Sequence, residues 1–211
     1  MRKLNYIDLG THSGQEIDLV LEYYKYFEKE FDLTVYGVEA NTNLFKGLLN
    51  KYENKYRVKL FNNAICENSG KTKLYLSEYK TVLGSSIFPS KKNVNELNFI
   101  EVDGYSISDF VTKYIVDFKD SVNVLKLNIE GAELSVYEDL LKNDMIEDID
   151  LFCGHPQHDI EKIPELFDKK ERYYSILENN NIKLVRLCGE NETEIDRSVN
   201  IFWEIFYTIF R

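Results

Sequence analysis

Apolar residues recur along this chain in two alternating patterns, one typical of β-strands and one typical of α-helices. Short runs such as "LNYIDL" (4–9) and "LTVYGVEA" (33–40) have the length and β-branched content of strands, whereas Val20, Tyr24 and Phe27 recur at helical spacing. The full pattern predicts strands over residues 4–9, 33–40, 58–65, 71–78, 98–103, 122–130, 149–154, 182–187 and 199–208, and helices over 16–31, 43–52, 106–115, 132–142 and 160–179.

Strands that alternate with helices indicate a mostly parallel sheet with helices on both faces. We predict one Rossmann-like, doubly wound α/β domain over residues 1–211, in which the last two strands form a hairpin and contribute one antiparallel strand. Ligands of such sheets bind beyond the carboxyl ends of the strands, where the strand order reverses. The polar stretch 79–98, with Ser85 and Ser86, reads as a long loop that covers the site.

Net charge, apolar runs and cysteine spacing limit the partners, the location and the metal chemistry expected of this protein. The net charge of −10 argues against a nucleic-acid partner, whose phosphates are bound mainly by Lys and Arg. We expect a cytoplasmic protein with no membrane span, since no apolar run has the length of a span and the N-terminus lacks the apolar segment of a signal peptide. Cys66, Cys153 and Cys188 lack metal-ligand spacing, so we expect reduced, buried thiols.

The first predicted strand ends at Asp8, and the turn "GTHSG" (10–14) follows at once. Gly10 permits a backbone torsion that other residues avoid, and Gly14 opens a helix whose N-terminal N–H groups are unpaired. A dinucleotide site would have its middle glycine where this chain has His12. An acid at the strand end suits a ligand ammonium, as in S-adenosylmethionine. The alternative is an ordinary tight turn in another kind of α/β protein, with His12 capping it.

Glu39 ends the second predicted strand. Nucleoside-binding sheets place an acid at this point to accept the ribose hydroxyls. The alternative is a solvated carboxylate. Together, Asp8 and Glu39 predict two acids on adjacent strand ends at one edge of the sheet.

The strand in "NVLKLNIEGAE" (123–133) is unusual because every second residue is polar. A central parallel strand is normally apolar on both faces, so we predict that Lys126, Asn128 and Glu130 face the ligand crevice at the reaction site. Glu133 falls in the first turn of the next helix, where the helix dipole favours an acid.

Several segments together resemble the FkbM-type S-adenosylmethionine-dependent methyltransferases, in order from about residue 5 to 142: "YIDLGTHSG", "VYGVEAN", "FNNAICENSGKTKLYLSE", "GSSIF" and "VLKLNIEGAELSVYEDLL". The resemblance implies a class I methyltransferase fold and O-methylation of a sugar or another small hydroxylated molecule. It places Asp8, Gly10 and Gly14 around the methionine part of the donor, Glu39 at the ribose, and Asn63 and Ala64 beside the adenine, and it counts Ala40 among the donor-binding residues.

Two departures from the family pattern are His12, where Asn is frequent, and Asn128, where Asp is usual. The second removes a carboxylate from the predicted reaction site. We therefore predict Glu130 or His155 as the general base that takes the hydroxyl proton. An alternative is a divalent metal site formed by Asn128, Glu130, His155 and His158.

The sequence leaves two other functions open. One is a non-catalytic cofactor-binding module that assembles with a glycosyltransferase or another biosynthetic enzyme. The other is a nicotinamide-dependent reductase, which His12 disfavours. A homo-oligomer is also compatible with the sequence.

Overall fold

The computed structural model describes residues 1–78, 84–154 and 160–185. In chain order its elements are β1 (Arg2–Leu9), α1 (Gln15–Tyr24), β2 (Phe31–Val38), α2 (Thr42–Tyr52), β3 (Val58–Phe61), β4 (Ala64–Ile65), β5 (Gly70–Ser77), β6 (Val94–Tyr105), α3 (Ile107–Tyr114), β7 (Val122–Leu127), α4 (Glu133–Lys142), β8 (Leu151–Gly154), α5 (Lys170–Asn179) and β9 (Leu184–Val185). Short 3-10 turns cover Phe118–Asp120, Ile146–Asp148 and Pro164–Lys169.

The main sheet has six strands in the order β3-β2-β1-β7-β8-β9, and every neighbouring pair is parallel. The chain builds outward from β1 to β3 and then crosses over to β7, so the strand order reverses between β1 and β7. This arrangement confirms the predicted doubly wound α/β fold, and the reversal marks the edge at which a ligand is expected.

Alternate strand residues supply two separate cores. On β1, Leu4 and Tyr6 pack into a cluster with buried residues of α1 and α2, whereas Ile7 and Leu9 pack with α3, α4 and α5. Because side chains alternate between the faces of a strand, the two clusters lie on opposite faces of the sheet. The helices therefore cover both faces, as the alternation of elements predicts.

A second sheet was not predicted. Its three strands are ordered β4-β6-β5, with β5 and β6 antiparallel and β4 parallel to β6. The predicted strand 58–65 divides into β3 and β4, and the predicted short strand 98–103 becomes the 12-residue β6. Residues 95–99 of β6 are exposed on both sides, so this half of its sequence lacks the clear alternation that marks a half-buried strand, whereas exposed and less exposed residues alternate from Ile100 on.

Other boundaries also differ. The first helix ends at Tyr24 rather than residue 31, and the helix predicted over 160–179 begins at Lys170, after a 3-10 turn. β9 pairs in parallel with β8. The predicted strand 199–208, with its antiparallel pairing, lies outside the described residues.

β1 and β7 approach each other closely where they end. The Asn128 amide donates to the Leu9 carbonyl over 3.1 Å, which extends the pairing one residue past β7. A Cβ atom on Gly10 would lie 1.9 Å from the Asn128 carbonyl oxygen, and Gly10 has a left-handed φ of 80°. Only glycine fits here, because any side chain would push the two strand ends apart.

We therefore expect Gly10→Ala to lower the free energy of unfolding by more than about 2 kcal/mol, from backbone strain and the clash together. Gly47→Ala is the matched control, because Gly47 lies inside α2 and an added Cβ there would meet no atom of the described residues within 4 Å. It should gain roughly 0.5–1 kcal/mol. Urea unfolding measures both, and equal effects would contradict the close approach of β1 and β7.

Candidate active site

A cleft of about 680 Å³ opens at the carboxyl ends of β1, β2 and β7, where the strand order reverses. The second sheet and the segment after residue 83 contribute further lining. The lining residues are Gly10, His12, Val38, Glu39, Ala40, Asn41, Leu44, Asn63, Ala64, Ile65, Leu74, Gly84, Ser85, Ile87, Asn128, Ile129 and Glu130.

The turn between β1 and α1 is held by backbone hydrogen bonds. The Gly10 and Thr11 amides both donate to the Val38 carbonyl, at 3.0 and 3.1 Å, and the Gly14 amide donates to the Thr11 carbonyl at 2.8 Å. Gly14 precedes α1 with a left-handed φ of 77° and lies against Tyr52 of α2. Gly10 thus lines the cleft, whereas Gly14 packs against a neighbouring helix.

Glu39 connects the first two strand ends. Its Oε2 accepts from the His12 amide and its Oε1 from the Asn41 amide, both at 2.8 Å. Burial raises the pKa of Glu39, and these two amides oppose the increase. Each carboxylate oxygen keeps capacity for a further donor, so Glu39 can accept hydroxyls from a ligand in the cleft.

The lining of the cleft combines apolar and polar side chains. The apolar ones come from β2, α2, β4, β5 and nearby segments: Val38, Ala40, Leu44, Ala64, Ile65, Leu74 and Ile87. Ser85, Asn128 and Glu130, from the segment after residue 83 and the turn after β7, add polar groups. The apolar side chains suit a flat ring, and the polar groups suit a hydroxylated molecule.

The structure corrects the predicted places of Lys126 and Asp8. Both are buried, with 3% and 0% of their surface exposed, and neither lines the cleft. The Lys126 ammonium lies 2.8 Å from Asp8 Oδ1 and 3.9 Å from Glu16 Oε1, and donates to the Gly10 carbonyl at 2.8 Å. Lys126 is thus not positioned to contact a substrate. Asp8 faces the ammonium of Lys126 where a ligand amine was predicted.

Glu130 lies in the turn after β7 with a left-handed φ of 58°. Its carboxylate pairs with the ammonium of Lys91, whose side chain is 2% exposed, and its carbonyl accepts from Ser86 Oγ at 2.7 Å. The segment that contains Ser86 and Lys91 therefore contacts the turn after β7 through Glu130. Sequence reasoning missed Lys91, because one lysine within a polar loop carries no distinguishing pattern.

Glu133 is a structural residue. Its two carboxylate oxygens accept from the Ile129 and Gly131 amides at 2.9 and 2.8 Å, just before α4 begins. The acid at the helix start therefore fixes the turn that presents Glu130.

Residues 8–149, about two-thirds of the chain, match the methyltransferase FkbM domain. The chain belongs to this family. The uncharacterized protein R713 of Acanthamoeba polyphaga mimivirus is 26% identical over 170 residues, which cover 75% of this chain and 17% of that protein. The crystal structure of methyltransferase FkbM from Methylobacillus flagellatus KT is similar with a TM-score of 0.47 and 16% identity, over 83% of this chain and 37% of that one. The chain thus spans less than half the length of either protein.

Family membership confirms the resemblance found in the motifs. Of the residues predicted to bind the donor, the FkbM domain brings Gly10, Glu39, Ala40, Asn63 and Ala64 together in one cleft. Of the predicted catalytic residues, Asn128 and Glu130 line the same cleft.

The predicted metal site gains no support in the part of the FkbM domain that the structure describes. There, no group of three or more His, Cys, Asp or Glu side chains could hold a metal ion. Glu130 already faces a cation, the Lys91 ammonium. His155 and His158 lie outside the described residues.

No helix in the described ranges is long and apolar enough to cross a membrane.

The buried pair yields a prediction with a defined pH dependence. Burial raises the pKa of Asp8 to about 6, although Lys126 opposes the increase. The unfolded value is about 3.9, so the folded state binds this proton more tightly, and Asp8 lowers stability as pH rises from about 4 to 6. We expect Lys126→Met to cost about 3–5 kcal/mol at pH 7.5, because Asp8 must then either stay charged without its partner or take up a proton far above its unfolded pKa.

This cost should shrink toward pH 5, because protonating Asp8 in the folded variant becomes less costly as pH falls. Urea unfolding at pH 5, 6 and 7.5 measures the change. Asp8→Asn/Lys126→Met is the control, because it lacks the titrating carboxyl. Relative to this control, Lys126→Met should lose stability as pH rises. A cost of Lys126→Met that does not change between pH 5 and 7.5 would contradict a charge pair between Asp8 and Lys126.

Proposed function

We propose that this FkbM domain binds S-adenosylmethionine in the cleft and transfers its methyl group to a hydroxyl of a small molecule, a sugar or nucleotide sugar being the class we favour. The observation that carries the proposal is the position of Glu39. Glu39 lines the same cleft as Gly10 and apolar side chains such as Ala64 and Leu74, and its carboxylate accepts from the His12 amide in the turn after Gly10.

The residues present fit this donor. Glu39 would accept the two ribose hydroxyls, since both of its oxygens keep acceptor capacity. Ala64, Ile65 and Leu74 would contact the faces of the adenine, with Asn63 at its edge. The methionine part would lie along the turn that begins at Gly10.

The polar lining residues Ser85, Asn128 and Glu130 would hold the acceptor. Ser85, Asn128 and Glu130 offer both hydrogen-bond donors and acceptors there, which suits the hydroxyls of a saccharide. This match supports a polyhydroxylated acceptor over an apolar one.

When bound, S-adenosylmethionine would supply an electrophilic methyl group, with its sulfur leaving as the neutral thioether of S-adenosylhomocysteine. The protein would have to hold the acceptor oxygen in line with that methyl group and provide a base for the hydroxyl proton. Alignment can contribute as much as about 7–11 kcal/mol, whereas a general base adds ~10²–10⁴-fold. Holding the acceptor in line is therefore the larger task of Asn128 and Glu130, and Glu130 or His155 is the proposed base.

The ion pair between Lys91 and Glu130 favours a second candidate function. The Lys91 ammonium already pairs with Oε2 of Glu130, so proton transfer to this carboxylate would have to compete with the pairing. A cofactor-binding module that partners another biosynthetic enzyme would not need Glu130 as a base. Such a module would bind S-adenosylhomocysteine but transfer no methyl group to any acceptor.

A thermal-shift screen tests the proposed donor class against the alternatives. S-adenosylhomocysteine at ~100 times its dissociation constant should stabilise the protein by about 2.7 kcal/mol, and NADH should not. A shift with NADH alone would reverse the assignment in favour of a reductase.

Glu39→Gln should weaken S-adenosylhomocysteine binding by about tenfold or more, because it removes charge-assisted hydrogen bonds worth about 1.5–3 kcal/mol. Isothermal titration calorimetry measures the affinity. Glu101→Gln is the matched control, since Glu101 is exposed on β6 and does not line the cleft. An unchanged affinity in Glu39→Gln would exclude the proposed ribose contact.

For the chemical step, we expect Glu130→Gln or His155→Ala to lower turnover by about 10²-fold or more and to change donor affinity by less than about threefold. The assay follows transfer of a labelled methyl group to acceptors found by screening sugars and nucleotide sugars. Wild-type turnover in either variant would remove that residue from the role of base.

A further inference from the structure

The Lys126 ammonium contacts the chain at the start of the β1–α1 turn. It donates to the Gly10 carbonyl at 2.8 Å, while the Gly10 amide donates to the Val38 carbonyl at 3.0 Å. The carbonyl of this glycine thus depends on a side chain from the neighbouring strand β7. The left-handed backbone of Gly10 is therefore held from β2 on one side and β7 on the other.

The place of the charged pair along the strands is informative. β1 and β7 are in register, and on one face their successive pairs are Leu4 with Val122, Tyr6 with Val124, and Asp8 with Lys126. The first two pairs are apolar members of one core cluster. The face becomes charged only at the last pair, directly before the turn.

Stability alone gives little reason for this change. An apolar pair of similar volume is often as stable as a buried ion pair, or more stable, because burying two charges is costly. Asp8 Oδ2 also has no hydrogen-bond partner among the described residues. A pair that gains little in stability but fixes a backbone carbonyl beside the cleft points to a role in shaping the cleft.

Two anchors therefore hold the same turn. Lys126 fixes Gly10, and Glu39 accepts from the His12 amide two residues later, at 2.8 Å. Gly10 and His12 both line the cleft. A shift of the Gly10 carbonyl would move the wall along which the methionine part of the donor is proposed to lie.

We propose that Lys126 is a positioning residue of the donor site, which fixes the Gly10 carbonyl and so prearranges the turn for the methionine part of the donor, while Asp8 balances its charge. The inference rests on the proposed function.

The test compares two ligands, S-adenosylhomocysteine and adenosine, by isothermal titration calorimetry. Adenosine has the ribose and adenine but lacks the amino-acid part. In Asp8→Asn/Lys126→Met the two charges of the pair are removed together, so Asp8 is not left as a buried charge without its cation. We expect this variant to lose about tenfold or more in affinity for S-adenosylhomocysteine and less than about threefold for adenosine, because only the first ligand reaches the turn.

Two further variants separate positioning from general loss of stability. Asp8→Asn/Lys126→Gln retains a neutral hydrogen-bond donor and should recover part of the lost affinity. Asn5→Leu removes the buried 2.9 Å hydrogen bond between Asn5 and Asn123, which joins the same two strands away from the cleft. It should leave both affinities within about threefold of wild type. All proteins are measured in the same stabilising osmolyte, and the glutamine variant carries the comparison if the methionine variant does not fold.

The outcomes are distinguishable. If the wild-type protein does not bind S-adenosylhomocysteine, the proposed function is overturned, and this inference with it. If the wild type binds but the charge-free variants lose no affinity, the inference alone is overturned. Equal losses for both ligands, or an equal loss in Asn5→Leu, would also overturn it, since they would show a general effect on the fold.

Discussion

The structure depends most on the junction where the ends of β1 and β7 meet. At this point the order of the sheet reverses, the backbone of Gly10 passes against the Asn128 carbonyl, and the buried pair of Asp8 and Lys126 joins the two strands. A doubly wound sheet has room for a ligand here because successive connections leave to opposite sides. Because the ends of β1 and β7 pack closely, their contacts define the shape of this opening.

The cleft combines features that one ligand class needs together. Glu39 connects the ends of β1 and β2, because its carboxylate accepts amides from both following turns. The second sheet adds an apolar wall through Ala64 and Leu74, and the turn after β7 adds polar groups such as Glu130. The chain belongs to the methyltransferase FkbM domain family, and the proposed donor and acceptor would both lie in this cleft.

The main sheet and much of the cleft lining could be predicted from sequence because they follow local rules. Alternating strands and helices predict the doubly wound fold, and Glu39 and Gly10 are recognisable from their places at strand ends. The second sheet could not be predicted, because the exposed first half of β6 lacks an alternating pattern and the pairing of β6 with β4 joins distant segments. Lys91 was missed since its importance arises only from the contact with Glu130.

The interpretation of Lys126 failed for a physical reason. Period two correctly places Lys126 and Asp8 on one face, but α1 covers that face, so the polar side chains are buried under a helix and do not face the crevice. The strand ends at Leu127, and the left-handed Glu130 redirects the chain. Alternation therefore stops applying two residues before Glu130, which reaches the cleft by a turn rather than by strand geometry.

The central claim is that Glu39 and the turn beginning at Gly10 hold opposite parts of a methyl-donating nucleoside. A crystal structure with S-adenosylhomocysteine tests it most directly. The account predicts both ribose hydroxyls within hydrogen-bond distance of the Glu39 carboxylate, adenine against Ala64 and Leu74, and the amino-acid part along the turn. A ligand bound elsewhere, or a nucleoside whose sugar does not contact Glu39, would contradict it.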